Sequence, residues 1–351
     1  MSNHGGSDIH NLEYLIEDFS TTTNFMKASI KGINNIINNI NDINYYPNHT
    51  FEPFKSDLVN FLYKDLNKKN NNLLFGNGAS ELIELIIRIN CNNNNYLNYY
   101  VPDIQYCEYE INCINNNLKK TEIENADIIC IVNPCNPSGI YYNLNELVDI
   151  INKCKKNSII IIDESMQLWY GSDFRNNSLL SLFDYINKKS IDDNINIYLL
   201  HSWTKFFSCT GLRIGSVLCP SDNSYNLIKN NLIPWNCNIL ALKYLQAAIK
   251  DDEYINNTWN NTNKIKNKQI NILKNKFNNW VFEGVDFIPW IWIKLPTNDI
   301  AERLYNISKK SGMPIRWGKS GYNKNNYIRI GIRDTNKFNL LVNLWENELK
   351  K

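Results

Sequence analysis

The sequence predicts an α/β fold in two closely joined domains, and three observations carry that prediction. Short runs rich in Ile and Val, among them Ile128 to Val132, Ile159 to Ile162, Ile195 to Leu200 and Ile214 to Leu218, alternate with helix-like segments such as Leu144 to Lys156. A glycine-bearing turn, Gly76-Asn77-Gly78-Ala79-Ser80, joins the strand-like Leu73-Leu74-Phe75 to a helix from Glu81 to Ile89. From about residue 240 the pattern changes to long helices rich in Lys and Asn, followed by strands. A chain of 351 residues can bury a full core and supply both domains.

Composition removes several classes of function. A formal net charge of +2 argues against a general binder of nucleic acid or anionic membranes. The apolar runs are too short to cross a bilayer, and Met1 to Asp8 lacks the apolar stretch of a signal peptide. Nine cysteines, an odd number without Cys-x-x-Cys or His/Cys ligand spacing, fit reduced thiols and no metal site. The cytoplasm is the default location. Asparagine clusters such as Asn92 to Asn95 read as solvated loops.

In chain order, a polar start holding His4-Gly5-Gly6 and Asp18-Phe19-Ser20 leads to a helix from Lys27 to Ile40, then Tyr45-Tyr46-Pro47. After a helix from Phe54 to Asp65 comes the 76–80 turn. Its glycines admit close approach of a ligand, and the unpaired N–H groups of the next helix attract an anion. A dinucleotide-binding turn would want a third glycine where Glu81 stands. A strand from Tyr99 to Pro102 precedes Gln105-Tyr106-Cys107-Glu108-Tyr109-Glu110. The strand ending at Val132 runs into Asn133-Pro134-Cys135-Asn136-Pro137-Ser138-Gly139, a rigid turn by its two X-Pro steps. The strand Ser158 to Ile162 ends at Asp163, where an open α/β sheet places ligand groups and where a helix N-cap would also want an acid. Leu232 to Asn238 opens the helices that run from Ala241 to Lys276. Strands from Val281 to Phe287 and Trp290 to Lys294, a helix from Ile300 to Ser311, the arginine-bearing strands 315–317 and 327–333, and a helix from Lys337 complete the chain.

The chemistry concentrates in 201–215, His-Ser-Trp-Thr-Lys-Phe-Phe-Ser-Cys-Thr-Gly-Leu-Arg-Ile-Gly. A lysine that attacks a carbonyl must first lose its proton, and apolar walls with a nearby guanidinium favour that loss. Lys205 and Arg213 suit this, Arg213 adding a rigid fork for phosphate oxygens. A surface loop with a salt-bridged arginine would show the same pair.

This stretch resembles the lysine segment of the pyridoxal-phosphate aminotransferases of fold type I, Ser-x-[Ser/Thr]-Lys followed by Gly-x-Arg-x-Gly. The 76–81 turn and Asn133 to Gly139 resemble that family's phosphate cup and its Asn-Pro-x-Asn-Pro-[Thr/Ser]-Gly. The resemblance implies a mostly parallel seven-stranded sheet in a large domain, about 45–238. A smaller α/β domain would come from 239–351 and part of an arm at 1–44. It implies that Lys205 holds pyridoxal phosphate covalently and that Gly78, Ala79, Ser80, Ser202, Thr204 and Arg213 hold its phosphate. Asn136 donates to its phenolic oxygen, Asp163 pairs with its ring nitrogen, and Tyr109 stacks on its ring. Tyr46 reaches the cofactor of the neighbouring subunit, so a homodimer with shared sites is implied. Arg329 clamps the substrate carboxylate. Arg316, Arg333 and His4 are candidates for a second anion.

Within that family the histidinol-phosphate aminotransferases and the threonine-phosphate decarboxylases are the subgroups resembled. Transamination of an amino acid or amino-phosphate donor with a 2-oxo acid is the first expectation. Decarboxylation of an O-phosphorylated amino acid is the alternative, on His4-Gly5-Gly6, Met166 (where many aminotransferases have tyrosine) and Arg333. A cofactor-binding homologue without catalysis is the third reading, against which every catalytic position is filled.

Overall fold

The computed structural model describes residues 4–6, 8–67 and 69–351. Of the polar start Met1 to Asp8, residues 1–3 and 7 lie outside the described ones. The larger sheet has seven strands: β1 Leu73–Asn77, β2 Asn98–Tyr100, β3 Lys119–Lys120, β4 Ile128–Val132, β5 Ile159–Asp163, β6 Asn196–Ser202 and β7 Ile214–Leu218. Their order is β1-β7-β6-β5-β4-β2-β3. Only β7 runs antiparallel to its neighbours. The Ile/Val runs form β4 and β5, buried along their whole length because helices cover both faces. A second, antiparallel sheet contains β8 Val281–Glu283, β9 Trp290–Lys294, β10 Arg316–Trp317 and β11 Tyr327–Gly331, in the order β10-β11-β9-β8.

Several bounds differ from the sequence pattern for local reasons. The stretch 241–276 divides into helices Ile239–Ala248 and Asp252–Lys276, because Asp251 caps the second by accepting from Tyr254 N. Asp251 also accepts from Ser29 Oγ (2.6 Å), fixing the start of helix Ile30–Asn38 against the same corner. The strand expected over 281–287 stops at Glu283 and turns at Gly284 (φ 95°), which packs so closely on Gly139 that a Cβ would lie 2.9 Å from the Gly139 Cα. Two helices, Phe183–Asp192 and Asp222–Lys229, and the short edge strand β3 gave no clear periodic signal. Among the described residues, no helix is long and apolar enough to cross a membrane.

One buried cation feels only a distant carboxylate, Asp286, against the cost of its burial. Lys266, 1% exposed in helix Asp252–Lys276, donates from Nζ to Val285 O (2.5 Å), and burial pushes its ammonium down to about 7. In the unfolded chain the same group titrates near ~10.4. The unfolded state therefore binds more protons between those values, so this group's contribution is complete above the unfolded value and is lost as pH falls towards 7. Lys266→Met should flatten that slope: its urea midpoint should gain on the wild type as pH is lowered from 9 to 7, whereas equal shifts at both pH values would contradict the assignment.

Candidate active site

Three neighbouring parallel strands deliver three functional side chains to one edge. Asp163 ends β5, opposite Val132 of β4 and Leu200 of β6. The chain continues past β4 to Asn136 and past β6 to Lys205, so both arrive beside Asp163 at the carboxyl edge where open sheets bind ligands. A cavity of about 1020 Å³ opens there, lined among others by Ser80, Tyr106, Asn136, Lys205, Arg213 and Arg329.

At one end of the site the backbone is shaped for an anion. Helix Ala79–Asn94 starts after Gly78 (φ 80°), and no side chain caps its first N–H groups. The Arg213 guanidinium lies against Gly78, where a Cβ would stand 2.4 Å from Nη2. Gly215 in β7 passes so close to the same turn that a Cβ would stand 2.5 Å from Ala79 N. Ser202 Oγ and Thr204 Oγ1 are 3.0 Å apart, and Lys205 Nζ donates to Thr204 Oγ1 (3.2 Å). Free amides, hydroxyls and a fixed guanidinium around one turn fit a phosphate monoester.

Burial, and then the Arg213 charge, lower the Lys205 ammonium to about 8. Neutral amine is thus accessible near physiological pH. Burial raises the Asp163 carboxyl, while Ser165 N (2.8 Å to Oδ1) and the Tyr109 hydroxyl (2.8 Å to Oδ2) act the other way by donating to the charged form.

Tyr109 is therefore not placed as a stacking ring. It is fully buried, absent from the cavity wall, and spends its phenol on Asp163. Of the two tyrosines, Tyr106 is the one on the cavity wall, and it lies edge-on to Tyr109 with centroids 6.3 Å apart. Tyr106 stands in the loop after Pro102 and Tyr109 in the helix Glu108–Asn115 that follows, and counting forward from Pro102 lands on Cys107 between them. A hydrogen bond to a charged group contributes ~1.5–3 kcal/mol, so Tyr109→Phe should lower turnover by about 10- to 100-fold. Unchanged steady-state rates in a folded variant would show that this bond does not position Asp163.

The arginines of the smaller sheet divide by role. Arg329 is buried in the cavity wall, where it donates to Asn136 Oδ1 and Ser20 O, leaving the amide N–H groups as what Asn136 can offer a ligand. Its Nε is buried without a hydrogen-bond partner. Arg316 faces Arg329 across the β10–β11 register and donates to Ser320 O (2.5 Å), its guanidinium 5.4 Å from the centre of the Tyr322 ring. Arg333, expected as a substrate contact, is instead occupied by the arm. Its donors reach Asp18 O, Thr21 O and Thr23 O at 2.9–3.0 Å and both threonine hydroxyls at 3.1 Å. Asp18 draws Ser20 and Thr21 into the same turn, which explains the Asp-Phe-Ser motif as a shaping element. His4 lines the cavity mouth, 2.7 Å from Glu108. Tyr46 is 77% exposed and stacks on Trp235 outside this cavity. Thr21 to Thr23 and Tyr322 also line the cavity, although no sequence signal pointed to them.

Fold and site together define a two-sheet α/β protein with a buried lysine of lowered pKa beside a turn shaped for an anion. The family model for aminotransferase class I and II matches residues 11–290, and the chain belongs to that pyridoxal-phosphate-dependent family. A histidinol-phosphate aminotransferase of Brachyspira hyodysenteriae is 29% identical over 332 residues, covering 88% of this chain and 84% of that protein. The crystal structure of the Sinorhizobium meliloti histidinol-phosphate aminotransferase in complex with pyridoxal-5'-phosphate superposes with a TM-score of 0.79 at 14% identity, over 96% of this chain and 91% of that one. The L-threonine-O-3-phosphate decarboxylase of Porphyromonas gingivalis superposes with a TM-score of 0.78 at 18% identity, over 96% and 100% of the two chains. The protein is a pyridoxal-phosphate-dependent aminotransferase.

Proposed function

We propose that this aminotransferase takes its amino group from a donor that also carries an anionic group, of the histidinol-phosphate or phosphorylated amino acid class, and passes it to a 2-oxo acid. The observation that carries this reading is Arg329, buried in the wall of the cavity that Lys205 also lines, with Arg316 buried opposite it in the β10–β11 register, a positive field that favours an anionic substrate. Arg329, with an unpartnered Nε, clamps a carboxylate, and Arg316 reinforces the positive field behind it.

Bound pyridoxal phosphate supplies an electron-accepting ring beside the substrate carbon that bears nitrogen. Ser80, Ser202, Thr204, Arg213 and the uncapped amides at the start of helix Ala79–Asn94 would hold its phosphate. Tyr106, rather than Tyr109, covers the ring, and Asn136 donates to its phenolic oxygen. Asp163, held by Tyr109 and Ser165, presents a negative charge to the ring nitrogen. Lys205 Nζ would hold the cofactor and, as a neutral amine, would take the proton from the substrate carbon and give it back on the far side of the imine nitrogen.

Decarboxylation of an O-phosphorylated amino acid stays as a second reading. Its support is the arm at Gly5 and Gly6, which packs on Ser20 beside Arg329 and so helps decide which substituent of the reacting carbon stands over the ring. Purified protein given histidinol phosphate, other amino donors or phosphothreonine separates the two. Turnover that depends on a 2-oxo acid supports transamination; CO₂ release without one supports decarboxylation. No turnover with any anionic donor would sink both.

The working unit is proposed as a cytoplasmic homodimer. Tyr46 stacks on Trp235 outside the cavity of its own chain, and Ile30, Ile37, Ile43, Ile233 and Trp235 leave more than half of their surface exposed. Sedimentation equilibrium at twice the chain mass would support this arrangement, and a stable active monomer would overturn it.

A further inference from the structure

The side chains of His4, Cys107 and Glu108 meet at the mouth of the cavity, and the reaction above does not use them as a set. His4 Nε2 stands 2.7 Å from Glu108 Oε1, and a ligand-capable atom from each of the three residues lies within 4.8 Å of the others. Among the described residues this is the one group of three such donors so arranged. No sequence spacing announces it, because His4 comes from the arm while Cys107 and Glu108 begin the helix Glu108–Asn115.

An imidazole nitrogen, a thiolate and a carboxylate are the donors that borderline divalent ions select, Zn²⁺ above all. Zn–N and Zn–O bonds of about 2.1 Å place tetrahedral ligands roughly 3.4 Å apart, so the His4–Glu108 contact must open slightly to admit the ion. His4 can supply that movement, since its side chain is 44% exposed, whereas that of Glu108 is 22% exposed and held by its helix. The thiol proton of Cys107 leaves to solvent as the Cys107 Sγ–metal bond forms. Three protein ligands leave a fourth position open for water or an oxyanion.

The location gives such an ion a consequence. Gly5 and Gly6, next to His4, lie on Ser20: Gly6 N donates to Ser20 Oγ (2.8 Å), and a Cβ on Gly5 would stand 2.3 Å from Ser20 O and 3.4 Å from Arg329 Nη2. The arm therefore covers the arginine side of the cavity, and His4 is its outer point of attachment. We propose that His4, Cys107 and Glu108 form a Zn²⁺ site whose occupation straps the arm across the cavity mouth and slows turnover. The single His4–Glu108 contact would be replaced by three coordinate bonds to one ion.

The test uses dialysed holoenzyme. Zn²⁺ titrated against a chromophoric chelator reports binding without reference to activity, and Co²⁺ difference spectra report whether a thiolate is bound. The expected result is one high-affinity equivalent per chain, weakened at least tenfold in both His4→Ala and Cys107→Ser, with the thiolate-to-cobalt band absent from Cys107→Ser. Zn²⁺ should inhibit the wild type at the concentration that fills this site. It should leave Cys107→Ser, whose metal-free turnover is expected to match the wild type, at least tenfold less sensitive. Absence of stoichiometric binding overturns the proposal, as does binding that survives both substitutions or occupation that leaves turnover unchanged.

Discussion

Lys205→Ala should lower turnover by at least ~10²–10⁴-fold, the range a positioned proton-transfer group contributes, and should also remove the covalent attachment of the cofactor. Both losses follow from one nitrogen, set beside Thr204 and Arg213 at the end of β6. Its pH behaviour distinguishes it from an ordinary lysine. Because burial and Arg213 bring the ammonium down to about 8, the reactive neutral form grows in as pH rises through that value rather than two units higher. The rate at which apoenzyme captures added cofactor should therefore climb to a plateau just above pH 8. A rate still rising tenfold per unit at pH 9.5 would contradict the depressed value. Lys205→Arg keeps a positive charge and the length of the side chain but cannot deprotonate, so it should be as inactive as the alanine variant.

Asp163→Asn should be the next most damaging change, costing ~10²–10³-fold in turnover, the usual scale for removing one preorganised electrostatic group. The substitution keeps the shape and the acceptor for Ser165 N, and removes the charge together with the Oδ2 acceptor of the Tyr109 hydroxyl. Cofactor binding should survive, as the phosphate cradle lies on other residues, and the loss should fall on kcat rather than on KM. An asparagine variant with near-normal kcat would show that the ring nitrogen does not depend on this carboxylate. Tyr109→Phe should reproduce a weaker form of the same defect, since it loosens Asp163 without discharging it.

Much of this site was legible before any coordinates because its residues sit at the ends of strands, where local composition is least ambiguous. The all-apolar β4 and β5 point directly at Asn136 and Asp163, and the hydroxyl-lysine-arginine stretch follows β6. What could not be read was set by tertiary packing. Which of Tyr106 and Tyr109 faces the cavity depends on how helix Glu108–Asn115 is rotated against the sheet. Arg333 shares its parity with Arg329 in the sequence, yet β11 ends at Gly331 and the donors of Arg333 are taken by Asp18, Thr21 and Thr23 from a segment more than three hundred residues away, a contact no periodicity reports. The meeting of His4 with Cys107 and Glu108 is hidden for the same reason. Short, solvent-facing elements such as β3, with both residues exposed, lack the apolar pattern by which strands are recognised.

The account rests on a covalent bond between pyridoxal phosphate and one side chain, and borohydride reduction followed by peptide mapping tests it most directly. Reduction should bleach a yellow holoenzyme and leave the cofactor mass on the peptide that contains Lys205, with none recovered from Lys205→Ala. A label on the buried Lys266 or any other lysine, or a wild-type protein that takes up no cofactor, would contradict it.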